Sequence, residues 1–256
     1  MSRFDPIDIR RFITPDRRDF LRALGLGAGF FLSESAVSRH VWANPVFKAD
    51  PFSLGVASGD PAADGFVIWT KLAPEPLKPG GGMPQRPVDV RWEVSTDPKM
   101  TTFIRAGLAQ AKPQLGHSVH VEVGGLEPGR EYFYRFDVGG VRSPVGRAKT
   151  FPAPGSAAPV RFASAGCQRY EHGYFTAWRR IAEDRLDFIA HYGDYIYEYK
   201  AMKPDADGRM RDMPGLPGKC LTLDDYRNRY AIYKLDPDLQ AAHLSAPFIM
   251  SFDDHE

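Results

Sequence analysis

The 256-residue chain is 43% hydrophobic and 25% charged with a formal net charge of +1, a composition that suits one large or two small folded domains. Near-neutral charge gives no electrostatic footing for nucleic acid, other than as a substrate, or for an anionic membrane surface. Two cysteines, Cys167 and Cys220, are too few for a disulfide framework.

Residues 1–43 differ from the rest. Arg17-Arg18 is followed by Phe20-Leu21, by a Gly/Ala-rich apolar run broken at Ser33 and Glu34, and by Val41-Trp42-Ala43. The run is too short to span a bilayer, so no stable membrane anchor is expected. Twin arginine, weak apolar core and small residues at a cleavage position read in order as a twin-arginine signal peptide. The export machinery would then be a partner, and the mature protein would be periplasmic or secreted.

From Phe47 to Phe151 the period is two. "GFVIWT" (65–70), "VDVRWEVS" (88–95), "HSVHVEV" (117–123) and "REYFYRFDV" (130–138) alternate apolar and polar residues. Breakers such as "APEPLKPGGGMP" lie between them. This spacing predicts a β-sandwich of about seven strands, with "GLEPGREYFYRF" resembling the corner where fibronectin-type domains change sheets. A Pro/Ala linker at 152–159 follows. The expected domains are a signal at 1–43, a fibronectin type III-like sandwich at 44–153 and an incomplete α/β domain at 154–256.

After the linker the period changes. "PVRFASAG" (159–166), "LDFIAHYGD" (186–194) and "APFIMSF" (246–252) read as buried strands. Phe175, Trp178, Ile181 and Leu186 fall near one helical face. Thr222 and Asp225 form a capping-box pattern ahead of Tyr226, Tyr230 and Tyr233, and Asp236-Pro237 starts another helix. The order β-α-β-α-α-β predicts a parallel sheet covered by helices. The Gly/Pro/Asp-rich segment 202–218 is expected to be a mobile loop.

Ligands of open α/β sheets sit beyond the carboxyl ends of the strands. There the sequence puts Cys167, then Asp194 and Tyr197, then Asp253-Asp254-His255-Glu256. Each alone has an ordinary structural reading: a small buried thiol, a turn cap, a core aromatic, a packed imidazole. Together they form a candidate site. Thiolate, phenolate and carboxylate make an anionic set suited to a highly charged iron ion, whereas structural zinc favours Cys and His. A bridging carboxylate and an oxygen ligand for a second, hard ion would give two metals roughly 3.5–4 Å apart, a phosphoryl-transfer arrangement.

Gly193-Asp194-x-x-Tyr197 resembles the Gly-Asp-x-x-Tyr motif of purple-acid-phosphatase-type metallophosphoesterases. Asp253-Asp254-His255-Glu256 resembles their Gly-Asn-His-Glu motif, with Asp at 254 in place of Asn. "FSLGVASGDPAADGFVIWTKLAP", "AGCQ", "GYFTAW", "GDYIYE", "YRNRYAIYKLDPDLQAAH" and "FDDHE" together resemble the alkaline phosphatase D (PhoD-like) family, in its order. That resemblance implies that Cys167 and Tyr197 bind Fe(III), that Asp194 bridges it to Ca(II), and that Asp254 binds the calcium. His255 would stabilise the transition state or protonate the leaving oxygen, with Asp194 also essential to catalysis, while His191 would support the ligands from behind. No role is assigned to His117 or His120. Further Asp and His ligands of the family lie beyond these residues, so the chain is expected to be an N-terminal portion and a poor catalyst. The sandwich is expected to fold alone, with 159–256 loosely packed. The implied activity is hydrolysis of phosphate mono- or diesters by a monomer outside the cytoplasm. A secreted fibronectin-type binding or adhesion module, or a nuclease or nucleotidase with the same site, are the competing readings.

Overall fold

The computed structural model describes residues 46–203, 210–215 and 218–256. The signal-peptide reading of 1–43 and the mobility expected of 204–209 and 216–217 lie outside the described residues.

Eight strands precede the linker: β1 (Val56–Gly59), β2 (Phe66–Lys71), β3 (Val88–Ser95), β4 (Arg105–Ala111), β5 (Ser118–Val123), β6 (Glu131–Val138), β7 (Val141–Arg142) and β8 (Gly146–Lys149). The four strands read from alternation fall within a residue of their expected bounds. β1 and β4 are built mainly of small residues, VASG and RAGLAQA, and lack the β-branched and aromatic signal that marks a strand. Along β6, Tyr132, Tyr134, Phe136 and Val138 point inward while Glu131, Phe133, Arg135 and Asp137 face out, as a pleat with one covered face requires. These inward rings meet Val56, Phe66, Ile68 and Val119 of the opposing sheet in one core. The Tyr132 hydroxyl accepts a hydrogen bond from the Glu127 backbone N–H at 2.8 Å, which fastens the predicted corner.

The second half contains β9 (Phe162–Ala165), α1 (Thr176–Glu183), β10 (Phe188–His191), α2 (Leu223–Lys234), α3 (Pro237–Ser245) and β11 (Phe248–Met250). Strands β9, β10 and β11 are parallel neighbours. The capping box at Thr222 and Asp225 is formed, and the Asp236 carboxylate accepts from the Asp238 and Leu239 N–H groups at the start of α3. A second core joins Phe175 and Trp178 to Ile189, Ile232, Tyr233, Leu239 and Phe248. α1 is shorter than the sequence pattern implied: Phe175 caps it and Leu186 lies beyond it.

Two expectations are corrected. β9 is the edge strand of its sheet, not a buried one, and Phe162 remains 57% exposed against a single stacked ring, Phe188 at 4.9 Å. Nor is the second half loosely packed: it has the buried core just described and shares a sheet with the first. One six-stranded sheet runs β5-β2-β1-β11-β10-β9, while β4-β3-β6-β7, with β8 on β6, forms the facing five-stranded sheet. The junction is a parallel pairing of Gly59 with Phe248, reinforced by Asp60 N–H donating to the Phe248 carbonyl at 3.1 Å. Arg147 of β8 donates to the carbonyls of Leu186 and Ser245 at 2.8 and 2.7 Å, and Lys149 pairs with Asp187. The described residues all fall in one compact unit.

Candidate metal centre

Ala165, His191 and Met250 stand side by side in the parallel register. The three strand ends are therefore level, and the tight turns that follow bring Cys167, Asp194 and Asp253 to one end of the sheet. Glycine makes that crowding feasible. A Cβ on Gly166 would stand 2.8 Å from the Gly193 carbonyl oxygen, and one on Gly193, at φ +128°, 2.6 Å from the Asp253 Cβ. Cys167 N–H donates to the Gly193 carbonyl at 3.0 Å and ties the first two turns together. Cys167 and Asp194 adopt left-handed φ values of 53° and 52°. Such backbone costs on the order of 1–3 kcal/mol per residue and persists where surrounding contacts fix it, often at functional sites.

The ligand atoms of Cys167, Asp194 and Asp253 lie within 4.8 Å of one another, as do those of Asp194, Asp254 and His255. Asp194 belongs to both groups. Its Oδ2 accepts the Tyr197 hydroxyl at 2.8 Å, whereas its Oδ1 is buried without a hydrogen-bond partner among the described residues. A buried carboxylate oxygen left unpaired is costly, and a cation is the partner its charge calls for. The donor set of thiol, phenol, carboxylates and imidazole therefore fits metal ions. The protein's own charges agree. Loss of solvent, then Asp194, Asp253 and Glu256, push the Cys167 thiol up from its usual value. Burial and the Asp194 hydrogen bond push the Tyr197 phenol up likewise. Both shifts favour the protonated acids, and a positive charge entering the cluster would favour their anions.

All the residues expected from the sequence, Cys167, Asp194, Tyr197, Asp254 and His255, meet here. Three others had no role assigned. Asp253 joins the thiol group. Glu256 Oε1 accepts the Tyr195 N–H at 2.6 Å and its Oε2 the Asp253 N–H at 3.0 Å, clamping one turn to the other. Glu198 Oε2 lies 2.8 Å from His255 Nδ1. Loss of solvent works to lower the His255 pKa, but the Glu198 hydrogen bond and the charges of Asp194 and Asp254 outweigh it and hold it above its usual value. The available signals were the unbroken ionisable run at 253–256 and the position of Glu198 four residues after Asp194. His191 lies beneath the turn, its ring stacked on Trp178 at 5.6 Å, and burial lowers its pKa to about 4. Its Nδ1 is 3.4 Å from the Gly193 N–H, so it supports the turn as a neutral ring.

Residues 36–152 match the PhoD-like phosphatase N-terminal domain and residues 162–256 match PhoD-like phosphatase. Alkaline phosphatase D of Bacillus subtilis (strain 168) is 48% identical over 249 residues, 95% of this chain and 42% of that protein. A solved structure described as that of PhoD superposes with a TM-score of 0.78 at 50% identity, over 82% of this chain and 40% of its own. The chain thus spans less than half the length of these relatives. Its two halves nevertheless match the two parts of one family in order, with the sandwich, the parallel strands and the acidic turns in place: this chain belongs to the PhoD-like phosphatase family.

Proposed function

We propose that this site takes part in hydrolysis of phosphate monoesters or diesters with Fe(III) and Ca(II) bound. One observation carries the reading: the Asp194 carboxylate belongs to both ligand groups and has a buried oxygen without a hydrogen-bond partner among the described residues. Cys167 and Tyr197 would hold the iron and Asp254 the calcium, with Asp194 shared and Asp253 adding an anionic oxygen on the thiol side. When bound, such ions neutralise charge on a phosphoryl group in transfer and lower the pKa of water. The chain's own contribution is positional. The Tyr197 hydroxyl fixes one oxygen of Asp194 and thereby aims the other. Glu198 holds His255 at Nδ1, which leaves Nε2–H free to donate to a phosphate oxygen or to give its proton to the leaving oxygen. The sequence of residues 1–43 supports twin-arginine export to the periplasm or beyond, the exported protein being read as a monomer. Division at residues 153 and 154 into a sandwich and a metallophosphoesterase domain belongs to the same reading.

The resemblance implies ligands outside these 256 residues, so turnover by them alone is expected to be slow, and metal content is the primary readout. Protein prepared with iron and calcium should show a visible phenolate-to-iron absorption band that Tyr197→Phe removes. Asp194→Ala should release both metals and lower hydrolysis of p-nitrophenyl phosphate or its bis-ester more than Tyr197→Phe does. A band that survives Tyr197→Phe, or normal turnover by metal-free protein, would overturn the assignment.

A further inference from the structure

A cleft of about 320 Å³ opens between β2 and α2, and none of its lining residues belongs to the metal centre. Lys71 and Trp69 project from the same face of β2, and in the β2–β5 ladder Lys71 lies opposite Ser118, which also lines the cleft. Arg227, Tyr230 and Lys234 recur at three, four and seven residues along α2 and so share one helical face. Three basic side chains from two elements thus meet across a small gap; no carboxylate is among the described residues lining it, while Asp224 lines the adjoining cavity together with Lys71, Arg227 and Gly116.

Their partners are few. Arg227 donates to the Gln114 carbonyl at 2.7 Å and pairs at 3.4 Å with Asp224, whose side chain is 71% exposed. Lys71 and Lys234 form no ion pair among the described residues. The Lys234 ammonium lies 3.3 Å from His243 Nε2 and 4.4 Å from the Trp69 ring centroid. Burial pushes the Lys71 pKa down, with the Arg227 charge adding to it and the Asp224 carboxylate working against it, and burial alone brings Lys234 to about 7. The heads of Lys71 and Arg227 converge where the cleft meets the adjoining cavity: a Cβ on Gly116 of that cavity, at φ +59°, would stand 3.2 Å from Arg227 Nε and 3.5 Å from Lys71 Nζ. Like charges gathered in partial burial are unfavourable, and an anion taken between them makes charge-assisted hydrogen bonds in a site of reduced dielectric. A guanidinium beside an ammonium suits a phosphate or carboxylate head. Leu54, Leu115 and Trp69 offer apolar surface next to it.

We propose that the cleft between β2 and α2 binds a small organic anion, its phosphate or carboxylate head held by Lys71 and Arg227 and its apolar body lying against Trp69 and Leu115. This site is separate from the metal centre and does not depend on the activity proposed there.

The test uses the whole chain carrying Asp194→Asn, which disables the metal centre as a competing anion site, and isothermal titration with phenyl phosphate, benzoate and neutral benzamide. Both anions should bind with a Kd on the order of 1 mM or tighter, within reach of ligands this small. Benzamide should bind at least tenfold more weakly. Lys71→Met and Arg227→Met should each weaken benzoate at least tenfold. Leu115 is 60% exposed, so Leu115→Asp leaves the fold intact, checked by circular dichroism, while placing a carboxylate at the cleft mouth; it should weaken benzoate too. Equal binding of benzamide and benzoate would overturn the proposal. So would unchanged benzoate affinity in both Lys71→Met and Leu115→Asp, or no anion binding at all.

Discussion

Glu93 shows how single residues in this protein hold charge in place. It is buried on β3 and accepts from Arg91 Nε at 2.7 Å and from Arg135 Nε at 2.8 Å. Burial works to raise its pKa, but the two guanidiniums outweigh that and hold it below its usual value. A carboxylate whose folded pKa lies below the unfolded value, about 4.3 for Glu, contributes stability that is fully present above that value. The contribution is lost as pH falls through the folded pKa. Glu93→Gln should therefore lower the urea midpoint at pH 7 and flatten its decline between about pH 5 and pH 3. An unchanged pH slope in the variant would show that the ion pair carries no net stability. Asp194 lacks such partners: its Oδ1 is buried with no hydrogen bond among the described residues. Stability is sacrificed there, as expected where a ligand completes the site.

At the scale of elements, α3 depends on one side chain. Asp236 caps the helix by accepting from Asp238 and Leu239 N–H at 2.9 and 3.1 Å, and its other oxygen takes Arg211 Nη1 at 2.7 Å. Both charges are largely buried, with side-chain exposures of 12% for Arg211 and 3% for Asp236. Removing a cap costs roughly 1 kcal/mol, and leaving a buried charge without its partner costs more, about 3 kcal/mol or above. Asp236→Ala should thus destabilise by at least about 3 kcal/mol in urea unfolding. Thr222→Ala, which breaks only the exposed capping box of α2, should cost about 1 kcal/mol. Equal losses in the two variants would mean that the Arg211 pair contributes nothing beyond the cap. The level ends of β9, β10 and β11 belong to this scale as well: three short strands in register deliver three turns to one edge.

For the whole molecule, the continuous sheet makes the two halves interdependent. Phe248 is 2% exposed, lies 4.0 Å from the His243 ring centroid and 5.8 Å from that of Trp178, and its carbonyl receives the Asp60 N–H across the junction. Phe248→Ala should cost about 3–5 kcal/mol. Unfolding should remain a single transition by tryptophan fluorescence and by circular dichroism, since Trp92 belongs to the sandwich and Trp178 to the α/β half. Two separated transitions would show that the shared sheet does not couple the halves.

The sequence by itself determined the strands with strong alternation, both helix caps and the meeting of the five candidate residues at one end of the sheet. Each of these is written in local chemistry: period two, a hydroxyl three residues before a carboxylate, ionisable groups directly after apolar runs. It did not reveal β1 and β4, whose small residues carry little propensity, nor the edge position of β9, because an apolar run reads alike whether or not a neighbour covers it. The pairing of Gly59 with Phe248 spans most of the chain, and nothing local specifies so distant a partner. Tertiary structure alone decided that Asp194 serves both ligand groups, that Glu198 reaches His255, and that Lys71 meets Arg227 beside Gly116. Those distances depend on how strand ends and helix faces align in space, and spacing along the chain does not fix that alignment.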